Sequence, residues 1–179
     1  MKKMWIKAVV LGVAVLALAG YSARADQDEV IPLRARMSGF QEVTPKLTNG
    51  TGLFRATIKG DVMNFELTYS GLTGNPAVSH LHFGQRGVSG GVFLFLCGGG
   101  AQPACPVGTP GQDGFSGTIS GQATAANVVG NADQGIPVGD FAAAVRVIRS
   151  GESYANVHTA RFPSGEIRGQ LRDEDQREH

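Results

Sequence analysis

The sequence lacks the short motifs that mark several large enzyme classes. It contains no Gly-x-Ser-x-Gly nucleophile elbow. Its glycine-rich stretches at residues 84–87 and 98–100 lack the strand–helix context and the lysine that a phosphate-binding loop requires. Ser79 and Ser153 stand near histidines in the sequence, but no orienting acid can be placed beside them to complete a catalytic triad. These absences argue against serine-type hydrolysis and nucleotide binding.

A long hydrophobic run is also missing. The unbroken run of apolar and small residues at 8–20 is shorter than the ~20 residues that a helix needs to cross a membrane. It follows a lysine-rich start and precedes Ala23-Arg-Ala25, the small-x-small pattern that signal peptidase recognises. We therefore predict a cleaved signal peptide over residues 1–25, with an uncleaved membrane anchor as the alternative. No cysteine stands directly after the run, which argues against lipid attachment.

Positive charge is scarce once this segment is removed. Four of the 16 basic residues lie in it and no acidic residue does, so 12 basic and 15 acidic residues follow, for a formal net charge of −3. A nucleic-acid partner would require a basic face, and the sequence argues against one. The remaining ~154 residues suit one domain, and none of them resembles a membrane span. The sequence predicts an exported protein, periplasmic or secreted.

Cysteine is nearly absent. Cys97 and Cys105 are the two in the chain, and they flank a glycine-rich loop. In an oxidising compartment an isolated pair of this kind predicts a disulfide. A loop this short contributes ~2 kcal/mol by the chain-entropy estimate. A metal-binding role for the pair is the alternative.

Glycine is abundant, with 26 residues, about twice the ~7% of average usage. It separates short segments in which apolar and polar residues alternate, which is typical of strands with one buried face. Two such segments around Gly60-Asp61 predict a β-hairpin. A segment that is apolar on both faces, residues 92–96, predicts a central strand. The predicted strands lie near residues 33–38, 54–59, 63–69, 78–83, 92–96, 117–122, 154–159 and 166–171.

One helix is predicted after Asp140, which can cap its N-terminus. Apolar side chains follow at helical spacing, and Gly151 stands where the helix should end. About eight short strands with one helix favour an all-β sandwich over any helical class. The predicted organisation is a signal peptide at 1–25, a polar leader at 26–32, one domain at 33–171 and a charged tail at 172–179.

Three of the four histidines lie on predicted strands. His80 and His82 are two residues apart, so both side chains point to the same face, with Cα atoms ~6.6 Å apart. Ala77, Leu81 and Phe83 are expected to face the core. A second strand carries Asn156 and His158 on its polar face.

If these two strands are neighbours or face each other, His158 joins His80 and His82, and three imidazoles form a ligand set suited to zinc or copper. Asn156 and Glu166 are candidate second-sphere partners that would orient a histidine. The alternative is that the histidines are ordinary hydrogen-bonding strand residues. His179, in the tail, receives no role.

The chain resembles a known family at several places. Residues 37–45, Met-Ser-Gly-Phe-Gln-Glu-Val-Thr-Pro, are similar to the opening LSGAQEVPP of the chordin-type, or CHRD, domain. The resemblance extends over about residues 33–171. It includes Ser-Gly-Leu-Thr-Gly at 70–74, His-Leu-His at 80–82 with Gly84, Tyr-Ala-Asn-Val-His-Thr at 154–159 and Gly-Glu-Ile-Arg-Gly-Gln-Leu at 165–171.

The resemblance implies an immunoglobulin-like β-sandwich and no generally established reaction. The His-x-His and Asn-x-His strands belong to the family pattern, and they are loosely similar to the strand-borne histidines of copper–zinc superoxide dismutases. The chain lacks the further histidine- and aspartate-bearing loops of those enzymes, which argues against dismutase activity. The loop between Cys97 and Cys105 departs from the family core.

Three hypotheses follow from the sequence. The first is an exported, non-enzymatic domain that binds copper or zinc through His80, His82 and His158. The second is an extracellular protein-interaction module without metal, in which the histidines are structural. The third is a copper-dependent redox enzyme. The sequence alone identifies neither the metal, nor a partner, nor the oligomeric state.

Overall fold

The computed structural model describes residues 29–174, which form an all-β fold with one α-helix. The helix, α1, spans Phe141–Arg149. The ten strands are β1 (Val30–Ser38), β2 (Thr51–Lys59), β3 (Val62–Leu72), β4 (Pro76–Phe83), β5 (Gly91–Cys97), β6 (Thr109–Gly111), β7 (Gly114–Ala123), β8 (Ser153–Thr159), β9 (Ile167–Gln170) and β10 (Arg172–Asp173).

All ten strands belong to one antiparallel sheet. The order across it is β5-β4-β8-β9-β1-β2-β3-β7-β6, and β10 also pairs with β1. The sheet curls, so that β5 at one end lies against β7 near the other. The apolar side chains of the concave side close into one core, which includes Leu33, Phe54, Leu67, Leu81, Leu94 and Ile119.

The hairpin predicted around Gly60-Asp61 is confirmed as β2 and β3. The two strands pair in continuous register from Thr51 opposite Ser70 to Lys59 opposite Val62. Burial alternates along β2: Phe54 is buried and its neighbour Arg55 is exposed. Gly60 has a φ of 55°, a left-handed conformation that glycine adopts at little cost.

The predicted helix is also confirmed. The Asp140 side chain accepts a hydrogen bond from the Ala143 amide at 2.8 Å and so caps the N-terminus. The buried face consists of Phe141, Ala144, Val147 and Ile148. Gly151, just beyond the helix, has a φ of 75°, which allows the chain to turn away towards β8.

β5, which was predicted to be central in the domain, is the terminal strand in the sheet order. Its two faces are nevertheless largely apolar for a physical reason. The free edge is covered by the segment that follows β7, where the Val129 amide donates to the Phe93 carbonyl and Leu94 bridges to Val128. Curling of the sheet then buries Phe93, Leu94 and Leu96.

Several predicted boundaries also change. β1 begins at Val30, inside the predicted leader, and β10 lies within the predicted tail, paired with β1. β6 was not predicted, because its Thr-Pro-Gly sequence carries no alternating pattern. Ala77, expected to face the core, is exposed.

The predicted disulfide between Cys97 and Cys105 is present. The predicted signal peptide, residues 1–25, and His179 lie outside the described residues. Among residues 29–174, no helix has the length and apolar character needed to cross a membrane.

Candidate metal centre

The strand register brings the three predicted histidines together. β4 and β8 are antiparallel neighbours, with His80 opposite Asn156 and Val78 opposite His158. Directly opposed residues share a face of the sheet, so His158 lies on the same face as His80 and His82. One ring nitrogen from each of the three lies within 4.8 Å of the others. This is close enough for all three to bind one ion.

The strand pattern predicted that the histidines lie on a polar face of the sheet. That face is buried in the structure and is not solvated. His80 is 6% exposed, and His82 and His158 are each 8% exposed. Every residue of β8 is buried, because loops cover the face of the sheet that lies opposite the core. The backbone of Gly90 and of Pro163 lies over the cluster, and the Phe95 ring meets the edge of His80 with centroids 5.1 Å apart.

Backbone carbonyls hold two of the imidazoles in one tautomer. The His82 Nδ1–H donates to the Gly90 carbonyl at 2.8 Å, and the His158 Nδ1–H donates to the Pro163 carbonyl at 2.9 Å. A neutral imidazole carries one N–H, so Nε2 of each ring presents a lone pair. A carbonyl bond of this kind is the usual way in which proteins orient a metal-binding histidine.

Two ring nitrogens in the cluster have no hydrogen-bond partner within residues 29–174. They are Nδ1 of His80 and Nε2 of His158, and both are buried. A buried polar atom without a partner costs ~1–3 kcal/mol, so such atoms are rare in native proteins. Two such atoms lie together in this one cluster.

Burial keeps the cluster neutral. Desolvation, together with the neighbouring His82 and His158, lowers the pKa of His80 to about 3. Desolvation likewise lowers the pKa of His82 to about 4, opposed by its bonds to Gly90 and Asn156. The pKa of His158 is also lowered by burial. His80 and His82 therefore keep their lone pairs available well below neutral pH, and burial favours the neutral form of His158 as well.

The two candidate second-sphere residues are placed differently. Asn156 lies next to the cluster, with its Oδ1 3.1 Å from Nε2 of His82. Because Nε2 presents a lone pair, the amide of Asn156 suits it better with its NH2 group turned towards the ring. Glu166 instead accepts hydrogen bonds from threonine hydroxyls and an amide at 2.7–2.9 Å, namely those of Thr48, Thr73 and Thr159.

Two residues next to the cluster were not predicted. The Tyr154 ring stacks on His82, with centroids 4.5 Å apart and planes within 4°. The guanidinium of Arg168 lies over the same ring, with Cζ 3.4 Å from its centroid. Since β8 lies between β4 and β9, Tyr154 has His82 on one side and Arg168 on the other. The only signal in the sequence was the two-residue spacing of Tyr154 and Asn156, which puts them on one face.

The comparisons with known proteins identify the family. The model of the CHRD domain matches residues 33–171. No curated protein and no solved structure gives a significant match. The matched segment contains the three histidines, Asn156, Tyr154 and both cysteines. The chain therefore belongs to the CHRD domain family.

Proposed function

We propose that this chain is an exported, non-enzymatic CHRD-domain protein that binds copper or zinc through His80, His82 and His158. The observation that carries the proposal is the pair of buried imidazole nitrogens without a partner, in a cluster whose ring nitrogens lie within 4.8 Å. One cation would satisfy both nitrogens at once. Protons compete poorly for these sites, because burial lowers the pKa of His80 and His82 to about 3 and about 4.

The donor set favours copper or zinc over harder ions. Imidazole suits both metals, whereas magnesium and calcium prefer oxygen ligands. Cys97 and Cys105 are joined to each other, so neither offers a thiolate. Three histidines are a common zinc or copper ligand set and leave a position for water or another ligand, and in two of the three here, His82 and His158, a carbonyl holds the Nδ1–H group.

Export and the sandwich architecture are parts of the same proposal. A disulfide persists in oxidising compartments such as the periplasm or the cell exterior, which agrees with the signal peptide predicted at residues 1–25. The curled sheet brings β5 against β7, and two faces closing on one core are what an immunoglobulin-like sandwich requires.

Metal analysis of the purified protein tests the proposal. We expect about one copper or zinc ion per chain after equilibrium dialysis against each metal and removal of the excess. The His80→Ala/His82→Ala/His158→Ala variant should bind none, whereas His179→Ala, which removes the remaining histidine of the chain, should bind like the wild type. A folded triple variant that binds as much metal as the wild type would contradict the proposal.

The second candidate function is an interaction module with structural histidines. It is favoured by the contacts that already hold His82, which bonds Gly90 and stacks on Tyr154. The two functions differ at His80, whose Nδ1 has no partner among the described residues. If His80→Ala lowers the free energy of unfolding of the metal-free protein by several kcal/mol, the result favours the structural role. A small change in stability together with loss of metal binding favours the metal site.

A further inference from the structure

A second candidate binding site lies beside the histidine cluster. A cavity of about 470 Å³ is lined by Phe40, Glu42, Val43, Pro45, Arg86 and Arg168. Phe40 and Val43 are large apolar residues that are exposed, so this wall of the cavity is apolar and accessible. The lining also includes a buried carboxyl group and two guanidinium groups. Apolar pockets with a few convergent polar groups are the usual form of small-molecule sites.

Glu42 lacks a partner that its burial calls for. The residue is 5% exposed, and its Oε1 accepts no hydrogen bond from any residue of the described chain. The carboxyl group packs against the Cα of Gly165, where a Cβ would lie 2.5 Å from Oε1. Glycine at 165 therefore leaves the space that the carboxyl group occupies.

Arg168 lines the same cavity, and some of its N–H donors have no hydrogen-bond partner among the described residues. It is 2% exposed, its Nη2 donates to the Gln85 carbonyl at 2.8 Å, and its guanidinium rests on the Tyr154 ring. A guanidinium has five N–H donors, and within residues 29–174 no hydrogen bond or ion pair joins Arg168 to Glu42. A buried arginine held flat by an aromatic ring is already oriented for a planar anion.

We propose that this cavity binds a small carboxylate with an apolar body. Arg168 and Arg86 would hold the carboxylate, Glu42 would donate a hydrogen bond to it, and Phe40, Val43 and Pro45 would pack against the apolar part. The proposal goes beyond metal binding and does not depend on it, because none of these residues belongs to the histidine cluster.

The charges around Glu42 allow it to act as a donor. Burial raises the pKa of Glu42 to about 7, although Arg168 on β9, Lys46 in the following loop and a backbone hydrogen bond from Val43 lower it. Tyr154 on β8 is the other titratable group that faces it. Below about pH 7 the carboxyl group therefore carries a proton that it can donate to an anion. Above that pH two carboxylates would face each other, and binding should weaken.

The first experiment uses 3-phenylpropionate as the probe and its neutral amide as the matched control. Amide chemical shifts of the full-length protein are followed by NMR during the titration. We expect saturable shifts at residues around the cavity, with a Kd of about 1 mM or below, as fits a probe of this size. Affinity should fall about tenfold or more between about pH 6 and about pH 8.5. The amide should bind at least tenfold more weakly than the acid, since it brings no charge to Arg168.

Three variants test the assigned roles. Glu42→Gln keeps a donor that does not titrate, so it should bind the probe about equally at both pH values. Arg168→Gln should lose about tenfold or more in affinity, as expected for a charge-assisted bond. Arg86→Gln, at an exposed position where folding is not at stake, should lose a smaller factor. Arg55→Gln, on the exposed face of β2, removes one positive charge elsewhere and should change nothing.

The source of the carboxylate is distinguished by a second probe pair. A short peptide ending in phenylalanine is compared as the free acid and as the C-terminal amide. A free-acid peptide that binds more tightly than 3-phenylpropionate identifies a chain end as the ligand, and the reverse identifies a free small acid. The proposal is overturned if neither carboxylate binds, if acid and amide bind alike, or if Arg86→Gln and Arg168→Gln both bind like the wild type.

Discussion

Two parts of the same sheet differ in the burial of their polar residues. In the β1–β3 region, one face is buried and the other is exposed, so that Phe54 is inaccessible and Arg55 beside it faces solvent. In the β4–β8–β9 region, both faces are buried, and all seven residues of β8 are buried. The second face there carries His80, Asn156 and Arg168 instead of apolar side chains.

The difference identifies the region whose residues are not explained by packing alone. A buried face is most simply stabilised by apolar side chains, because burying polar groups costs free energy unless every one is paired. The β4–β8–β9 region buries polar groups and leaves Nδ1 of His80, Nε2 of His158 and Oε1 of Glu42 without partners in the described chain. A region that keeps such a cost is a candidate for binding.

The largest expected effect is on the free energy of unfolding, when alanine substitutions in the two regions are compared. Phe54→Ala should lower the free energy of unfolding by about 3–5 kcal/mol, while Arg55→Ala should change it by no more than about 0.5 kcal/mol. In β8, side chains on both faces should matter, so Tyr154→Ala and Val157→Ala should each cost about 2 kcal/mol or more. Urea unfolding measures all four. If Tyr154→Ala lowered the free energy of unfolding as little as Arg55→Ala, the two regions would not differ in this way.

The next effect is acid sensitivity of the metal-free protein. The three imidazoles have a lowered pKa in the folded state, so between about pH 6.5 and pH 4 the unfolded chain binds more protons. The free energy of unfolding should therefore fall as the pH falls through this window. Urea unfolding with a chelator present measures the slope. His80→Gln should make it shallower, and an unchanged slope would contradict the burial argument.

Glu42 should oppose this trend. Its pKa is raised to about 7, so between about pH 4.5 and pH 7 the folded protein holds a proton that the unfolded chain has lost, and stability falls as pH rises. Glu42→Gln should therefore steepen the rise of stability with pH in this window. The same series of urea titrations checks this, with Arg55→Gln as the control.

A smaller effect is expected from metal. An ion that binds only the folded state raises the free energy of unfolding by about 2.7 kcal/mol when its free concentration is 100 times Kd. Zinc and copper should raise the melting temperature of the wild type and of His179→Ala, and should leave His158→Ala unchanged. Calorimetry with and without each ion makes the comparison. Equal stabilisation of His158→Ala would place the ion elsewhere.

The smallest effect should come from the disulfide loop that covers the buried polar face. Gly99 and Gly100 pack against the Phe95 ring, which in turn meets His80. Cys97→Ala/Cys105→Ala should cost about 2 kcal/mol of stability through loop entropy, and loosening this cover should also weaken zinc binding. Paired unfolding and zinc titrations measure both. If stability falls but zinc affinity is unchanged, the loop does not support the histidines.

The sequence by itself determined the features that depend on neighbours along the chain. The two-residue alternation around Gly60 predicted the β2–β3 hairpin, Asp140 and Gly151 predicted the ends of α1, and the spacing of His80 and His82 placed both on one face. The short separation of Cys97 and Cys105 likewise predicted their bond. These features depend on backbone periodicity, capping and short loops, all of which are local.

Only the tertiary structure decided how distant segments meet. The pairing of β4 with β8 brings His158 to His80 across more than seventy residues of chain, and loops that no periodicity reveals bury the face on which they lie. The same closure placed β5 at the end of the sheet, stacked Tyr154 between His82 and Arg168, and enclosed Glu42 against Gly165. An alternating strand pattern tells which residues share a face. It does not tell what covers that face, because the cover comes from elsewhere in the chain.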